Sequence, residues 1–212
     1  MNSITKEIYI IRHGQTENNE KGILQGRGVN GSINKKGKQQ AALFFEAYQQ
    51  IAFDKIFVSA LKRSRESVAA FIEKGIACES TTALDEISWG DLEGLLLDPA
   101  QKNTLNEVIY QWQHGNYSAK IANGESIADV QTRQLPFIEK LKNETANKIL
   151  VCMHGRAMRA LLCSLVGKPL SQMDDFLHTN LCLYKVVLKE NSIFEIVIHN
   201  NIDHLKNEKT AV

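Results

Sequence analysis

The chain has 212 residues, 43% of them hydrophobic and 23% charged, and its 25 Lys and Arg against 24 Asp and Glu leave a net charge of +1. That length supports one sizeable core and reads as a single domain, 1–212. So even a balance excludes a nucleic-acid or anionic-membrane partner recruited by overall charge, and any bound anion must be held by local placement of cations.

In chain order, the run Glu7-Ile8-Tyr9-Ile10-Ile11 predicts a strand buried on both faces, as in a parallel sheet. A loop spaced by Gly14, Gly22, Gly26, Gly28 and Gly31 follows, and then Ala41, Phe44, Phe45 and Tyr48 recur at helical spacing. Lys35, Lys36 and Lys38 form the solvated start of that helix. Lys55 to Val58 predicts a second strand. Leu61, Ser64, Val68, Phe71 and Ile72 mark the inner face of one following helix. A weaker extended segment, Ala77 to Leu84, leads to Asp85 and Glu86. The span 98–122 reads as an insertion or cap of less regular, polar helical character. Ser126 and Asp129 form a capping box that opens a helix with Phe137, Ile138 and Leu141 on its core side. Ile149 to Met153 is the most hydrophobic strand, and Met158, Leu161, Leu162 and Leu165 follow at helical spacing. Cys182 to Leu188 and Ile193 to Ile198 flank Glu190-Asn191 and predict a terminal hairpin. The polar tail after Leu205 is expected to fray. Alternating strands and helices of this kind imply a three-layer α/β/α sandwich around a mainly parallel sheet.

The first residues lack the apolar core of a secretory leader, and no window reaches the length of a membrane span. Cys78, Cys152, Cys163 and Cys182 show no metal-ligand spacing and are expected as free thiols in a reducing cytoplasm.

Ligands of such sheets bind at the edge where the strands end. Arg12, His13 and Gly14 follow the first strand, Ser59 and then Arg63 the second, Glu86 the third segment, and His154 and Gly155 the strand ending near Met153. Two guanidiniums hold a phosphate dianion through charge-assisted pairs of hydrogen bonds. A neutral imidazole has a lone pair able to attack phosphorus. A second imidazole stabilises charge on the phosphoryl oxygens, and a carboxylic acid protonates the departing alkoxide. Gly155 opens a helix, so its amides are expected to add anion affinity, and Gly14 to leave room for substrate beside His13.

Arg12-His13-Gly14-Gln15-Thr16-Glu17, with Asn19 after it, resembles the signature of the histidine phosphatase superfamily, the phosphoglycerate mutase-like family. Gln25-Gly26, Ser59 to Arg63, Leu84-Asp85-Glu86, Trp89-Gly90, Glu93-Gly94, Gly124-Glu125-Ser126, His154-Gly155 and Asn180 extend the likeness in order over most of the chain. The resemblance implies the phosphoglycerate mutase-like fold, with His13 as nucleophile, Arg12, Arg63 and His154 around the phosphoryl group, and Glu86 rather than Asp85 as proton donor. It places Asn19, Gln25 and Gly26 on the phosphate side and requires no metal or other cofactor. The expected ligand is a small phosphorylated metabolite; neither a monomer nor a homodimer is indicated. Two departures stand out. The loop from Arg27 to Ser32 is about one residue longer than the usual one. After Glu86 the chain reads Ile87-Ser88-Trp89-Gly90 where the cofactor-dependent mutases carry an arginine-histidine-tyrosine run, which favours a phosphatase over a mutase. A third possibility is a phosphate-ester or phosphoprotein binding module without turnover; the five filled chemical positions speak against it.

His114, His178, His199 and His204 read as surface or structural histidines, and His178 stands near Asn180, which borders the pocket in the family pattern. Trp89 and Trp112 read as packing residues.

Overall fold

A computed structural model describes residues 4–206; the end of the tail expected to fray lies outside them. Its sheet has six strands in the order β3-β2-β4-β1-β5-β6. β1 (Ile4–Arg12), β2 (Lys55–Val58), β3 (Cys78–Ser80) and β4 (Lys148–Met153) are mutually parallel. β5 (Leu183–Lys189) runs antiparallel to β1, and β6 (Phe194–Asn201) antiparallel to β5, which forms the expected hairpin.

Residues alternate across the pleat and so divide the core into two layers. Ile8, Ile10, Phe57, Ile149, Val151 and Met153 face one layer, with the inner faces of α5 (Pro99–Gln113), α6 (Ile127–Asn143) and α7 (Gly155–Val166). Tyr9, Ile11, Ile56, Val58, Leu150 and Cys152 face the other, where Phe44 of α2 (Lys35–Tyr48) and Phe71 of α4 (Ala69–Glu73) cover them. The three-layer sandwich read from the alternating pattern is what the chain forms. Burying each of these aliphatic side chains contributes about 1.5–3 kcal/mol. Among the described residues no helix is long and apolar enough to cross a membrane, and all four cysteines are free.

Three elements differ from expectation. The helix expected from Leu61 to Ile72 is two, α3 (Lys62–Glu66) and α4, broken at Ser67 and Val68. The Ser67 hydroxyl donates back to the Arg63 carbonyl at 2.6 Å and accepts from the Gly14 amide at 2.8 Å, so it serves the chain after β1 instead of continuing the helix. The extended segment before Glu86 is only a three-residue strand followed by a 3-10 turn, Thr82–Leu84. The span 98–122 is more regular than its polarity suggested. Asp98 and Gln101 form a capping box around Pro99, and Val108 and Trp112 enter the core. Trp112 lies 5.9 Å from Trp89, and both are buried.

Candidate active site

Strand register builds the site. Arg12 is paired with Met153 across β1 and β4, and the His13 amide donates to the Met153 carbonyl at 2.9 Å. The residues that follow each strand, His13 and His154, therefore lie side by side, with ring centroids 5.0 Å apart. Val58 is paired with Cys152 across β2 and β4, which brings Ser59 to the same edge.

His13 is 3% exposed. Its Nδ1 is 2.7 Å from the Gly14 carbonyl, an acceptor only, so Nδ1 carries the proton and Nε2 keeps its lone pair. Burial, then the Arg12 and Arg63 guanidiniums, hold the His13 pKa well below the ordinary histidine value, so the ring is neutral at physiological pH.

Arg63 is fully buried, not paired on a solvated face. Its Nε donates to His154 Nδ1 at 3.1 Å, and its two terminal nitrogens donate to the Val29 and Gly26 carbonyls at 2.5 and 3.2 Å. With Nδ1 accepting, His154 bears its proton on Nε2 and donates it to Ser59 Oγ at 2.6 Å. Both ring nitrogens are thus engaged by protein, and His154 meets a phosphoryl group only by exchanging the Ser59 bond. Burial, then Arg63 and His13, lower its pKa well below the ordinary value. Burial also lowers Arg63 to about 10. Arg12 carries a buried Nε without a partner. A fully buried guanidinium, Arg63, beside a half-buried one, Arg12, both with unspent donors, forms a strong anion site.

Glu86 and Asp85 diverge, as neighbours in extended chain must. Asp85 accepts from the Ala60 amide at 2.8 Å and pairs with Arg27 at 3.4 Å. Glu86 accepts from Ile87, Ala157 and Arg156 amides at 3.0, 2.9 and 3.1 Å. It is also the carboxylate that most supports the charges on Arg12 and Arg63. The first-turn amides of α7 were expected to serve an anionic ligand; those of Arg156 and Ala157 instead hold Glu86. Gly155 is required for another reason: a Cβ there would lie 2.6 Å from the His178 ring.

Asn19, Gln25 and Gly26 are brought together beside His13 and Arg63. Asn180 Nδ2 donates to the His13 carbonyl at 2.9 Å and to Asn19 Oδ1 at 3.2 Å. Gln25 donates to Thr16 Oγ1 at 2.7 Å, and its own Oε1 is buried without a partner. Gly14 makes room not for a ligand but for backbone: an added Cβ would stand 2.8 Å from the Gly37 carbonyl oxygen. Gly14→Ala is therefore expected to lower stability by about 1–3 kcal/mol, because neither backbone can yield. A denaturation midpoint equal to that of the unsubstituted chain would contradict this.

Several contributors carried little or no signal in the sequence. Arg133 of α6 donates to the carbonyls of Thr82, Ala83, Asp85 and Glu86 at 3.2, 2.9, 2.9 and 3.2 Å and to Glu125 at 3.0 Å, stapling the acid loop in place. Ser67 likewise had no pattern pointing to the site, and His178 had only its nearness to Asn180. Among the described residues no group of three or more His, Cys, Asp or Glu side chains is placed to hold a metal ion.

Buried neutral histidines couple stability to pH. Burial is the largest cause lowering His13, His154, His178 and His204. Below the ordinary value near 6.5 the unfolded chain takes up protons that the folded chain refuses, so stability is fully present above that pH and is lost as pH falls. Each such histidine removes up to about 1.4 kcal/mol per pH unit. The urea midpoint should fall steeply from pH 7 to pH 5; a flat midpoint over that range would show that these rings protonate in place.

The family model described as histidine phosphatase superfamily (branch 1) matches residues 8–202. A probable phosphatase of Schizosaccharomyces pombe is 26% identical over 216 residues, covering 97% of this chain and 98% of that protein. A 2,3-bisphosphoglycerate-dependent phosphoglycerate mutase of Parvibaculum lavamentivorans is 30% identical over 170 residues, covering 74% of this chain and 79% of that protein. The crystal structure of the alpha-ribazole phosphatase from Shigella flexneri superposes with a TM-score of 0.81 at 21% identity, covering 92% of this chain and 96% of that one, and shares its fold.

Proposed function

Because the chain belongs to the histidine phosphatase superfamily, we propose that it hydrolyses small phosphate monoesters in two steps through a phosphohistidine on His13. The observation that carries this reading is the locked tautomer of His13: Nδ1 is fixed on the Gly14 carbonyl, which leaves a neutral Nε2 lone pair beside the half-buried Arg12 and the fully buried Arg63 guanidiniums. The Nε2 lone pair attacks phosphorus, the phosphorus–oxygen ester bond breaks, and Glu86 gives its proton to the departing alkoxide. Water then attacks the phosphohistidine, Glu86 takes the water's proton, and the nitrogen–phosphorus bond breaks to free inorganic phosphate and neutral His13. Arg12 and Arg63 hold the phosphoryl oxygens through both steps. Glu86 can carry that proton with its three amide bonds intact: Oε1 accepts from Ile87 and Ala157, and Oε2, which accepts only from Arg156, has a second lone pair for the proton. Side chains alone supply these steps, without a metal. Three buried free thiols suit a reducing, cytoplasmic setting.

A phosphate-release screen over sugar phosphates, nucleotides and phosphoglycerates tests the proposal. Release from none of them, with orthovanadate still bound, would leave a binding module instead. Mutase relatives make phosphoryl transfer to a second hydroxyl the other reading. Against it, Ile87 and Trp89 of the acid loop are buried in the core, so that stretch offers a substrate no cation. A coupled assay with 3-phosphoglycerate and its bisphosphate separates the two, since a mutase interconverts the isomers and frees little phosphate.

A further inference from the structure

We propose that His178 is a positioning residue for Arg12, holding the guanidinium in its phosphate-binding orientation through a hydrogen bond to an uncharged acceptor. The inference rests on the phosphoryl-binding role proposed above for Arg12. Arg12 Nη1 donates to His178 Nδ1 at 3.2 Å, and among the described residues this is the one hydrogen bond that the guanidinium makes within the protein. Its buried Nε has no partner at all. A long side chain at the end of a strand has several rotamers, so one bond to a fixed acceptor decides where its remaining donors aim.

The acceptor is fixed. The His178 ring lies against Gly155, where a Cβ would sit 2.6 Å from Cε1 and 2.8 Å from Nε2. The ring therefore bears on the backbone of the glycine that follows His154, and it spans from the phosphate side of the site to the start of α7. Any side chain at position 155 would push the ring off this seat and release Arg12.

The choice of acceptor has a chemical consequence. A carboxylate in this place would orient the guanidinium as well, but it would neutralise the cation and compete with the incoming dianion. An imidazole lone pair orients Arg12 and leaves its full charge for the ligand. That requires the ring to remain neutral. Burial, followed by Arg12, Arg159 and Arg156, lowers His178 to about 3, against the opposing pull of Asp174. Asp174 itself pairs with Arg156 at 2.7 Å and with Arg159, and so is engaged away from Arg12. The two outer arginines keep Asp174 occupied and the histidine uncharged.

Three variants of the full chain test this, read by calorimetric titration with orthovanadate and by kcat/KM for p-nitrophenyl phosphate. His178→Phe keeps a ring on Gly155 and removes the acceptor. It should weaken orthovanadate binding at least about tenfold, as expected for loss of a hydrogen bond to a charged group. His178→Asn places Oδ1 near the position of Nδ1 and should restore binding to within about threefold of the original chain. His178→Asp supplies an acceptor of the wrong charge and should bind at least as weakly as the Phe variant. Binding by His178→Phe within twofold of the original, or by Asn as weak as by Phe, would overturn the proposal in favour of simple packing. If the Phe variant does not fold, the Asn and Asp pair decides, since equal affinities in that pair would overturn it too. An original chain that binds orthovanadate and hydrolyses no ester removes the phosphatase reading but leaves this test intact. One that binds no orthovanadate removes both.

Discussion

Replacing His13 by alanine will abolish phosphate release, with kcat/KM falling by about 10⁴-fold or more, while the fold survives. The magnitude follows from what the side chain supplies. Without Nε2 no covalent intermediate forms, and the remaining groups bind the phosphoryl group without splitting the reaction into two steps. The structural cost is small by comparison. The variant leaves the Gly14 carbonyl without its donor, at a cost of about 1–3 kcal/mol. A chain quenched during turnover should carry an acid-labile, base-stable phosphoryl label that the His13→Ala chain lacks. Activity preserved in that variant, or a label that persists, would place the nucleophile elsewhere.

Glu86→Gln will separate substrates by their leaving groups. For alkyl phosphates, whose alkoxides depart badly without a proton, the rate should fall about 10²–10⁴-fold. For p-nitrophenyl phosphate the first step needs little protonation, but the second still needs a base to activate water. The variant should therefore release p-nitrophenol in a rapid burst of one per site and then turn over slowly, with phosphohistidine accumulating. Glutamine also loses part of the seat. Both oxygens of Glu86 accept amide protons from Ile87, Arg156 and Ala157, and an amide NH2 in place of one oxygen would face a donor. A modest loss of stability should accompany the kinetic change. Equal losses for alkyl and aryl esters, with no burst, would direct attention to Asp85. Burial raises the Asp85 pKa, but its carboxylate is turned to the Ala60 amide and Arg27.

Much of the architecture was legible locally. The apolar run around Ile8 to Ile11 and the run from Ile149 to Met153 read as strands, the first as one covered on both sides, and they are central neighbours in the sheet. The Ser126 and Asp129 box marks the start of α6 as written. Legibility failed where a residue's local behaviour is set by a remote partner. Ser67 ends a helix because it serves Gly14, 53 residues away in sequence. Gly14 was read as an opening for a ligand and Gly155 as a helix start offering amides to an anion, and each instead admits another part of the protein, Gly37 and His178. The α7 amides of Arg156 and Ala157 are taken by Glu86 of the acid loop, 70 and 71 residues away in sequence.

The sequence by itself determined the fold class, the residues presented at the strand ends, and the chemistry those residue types can perform. Periodicity and strand-end position are short-range properties, and apolar burial enforces them wherever the chain lies. The tertiary structure alone decided the pairing of Arg12 with Met153 that sets His13 beside His154, the proton's place on His13, and the bond between Arg63 and His154 across 91 residues. It also decided the contact of His178 with Arg12. Those are distances between segments far apart in the chain. They depend on sheet register and on the paths of loops, and no local pattern encodes them.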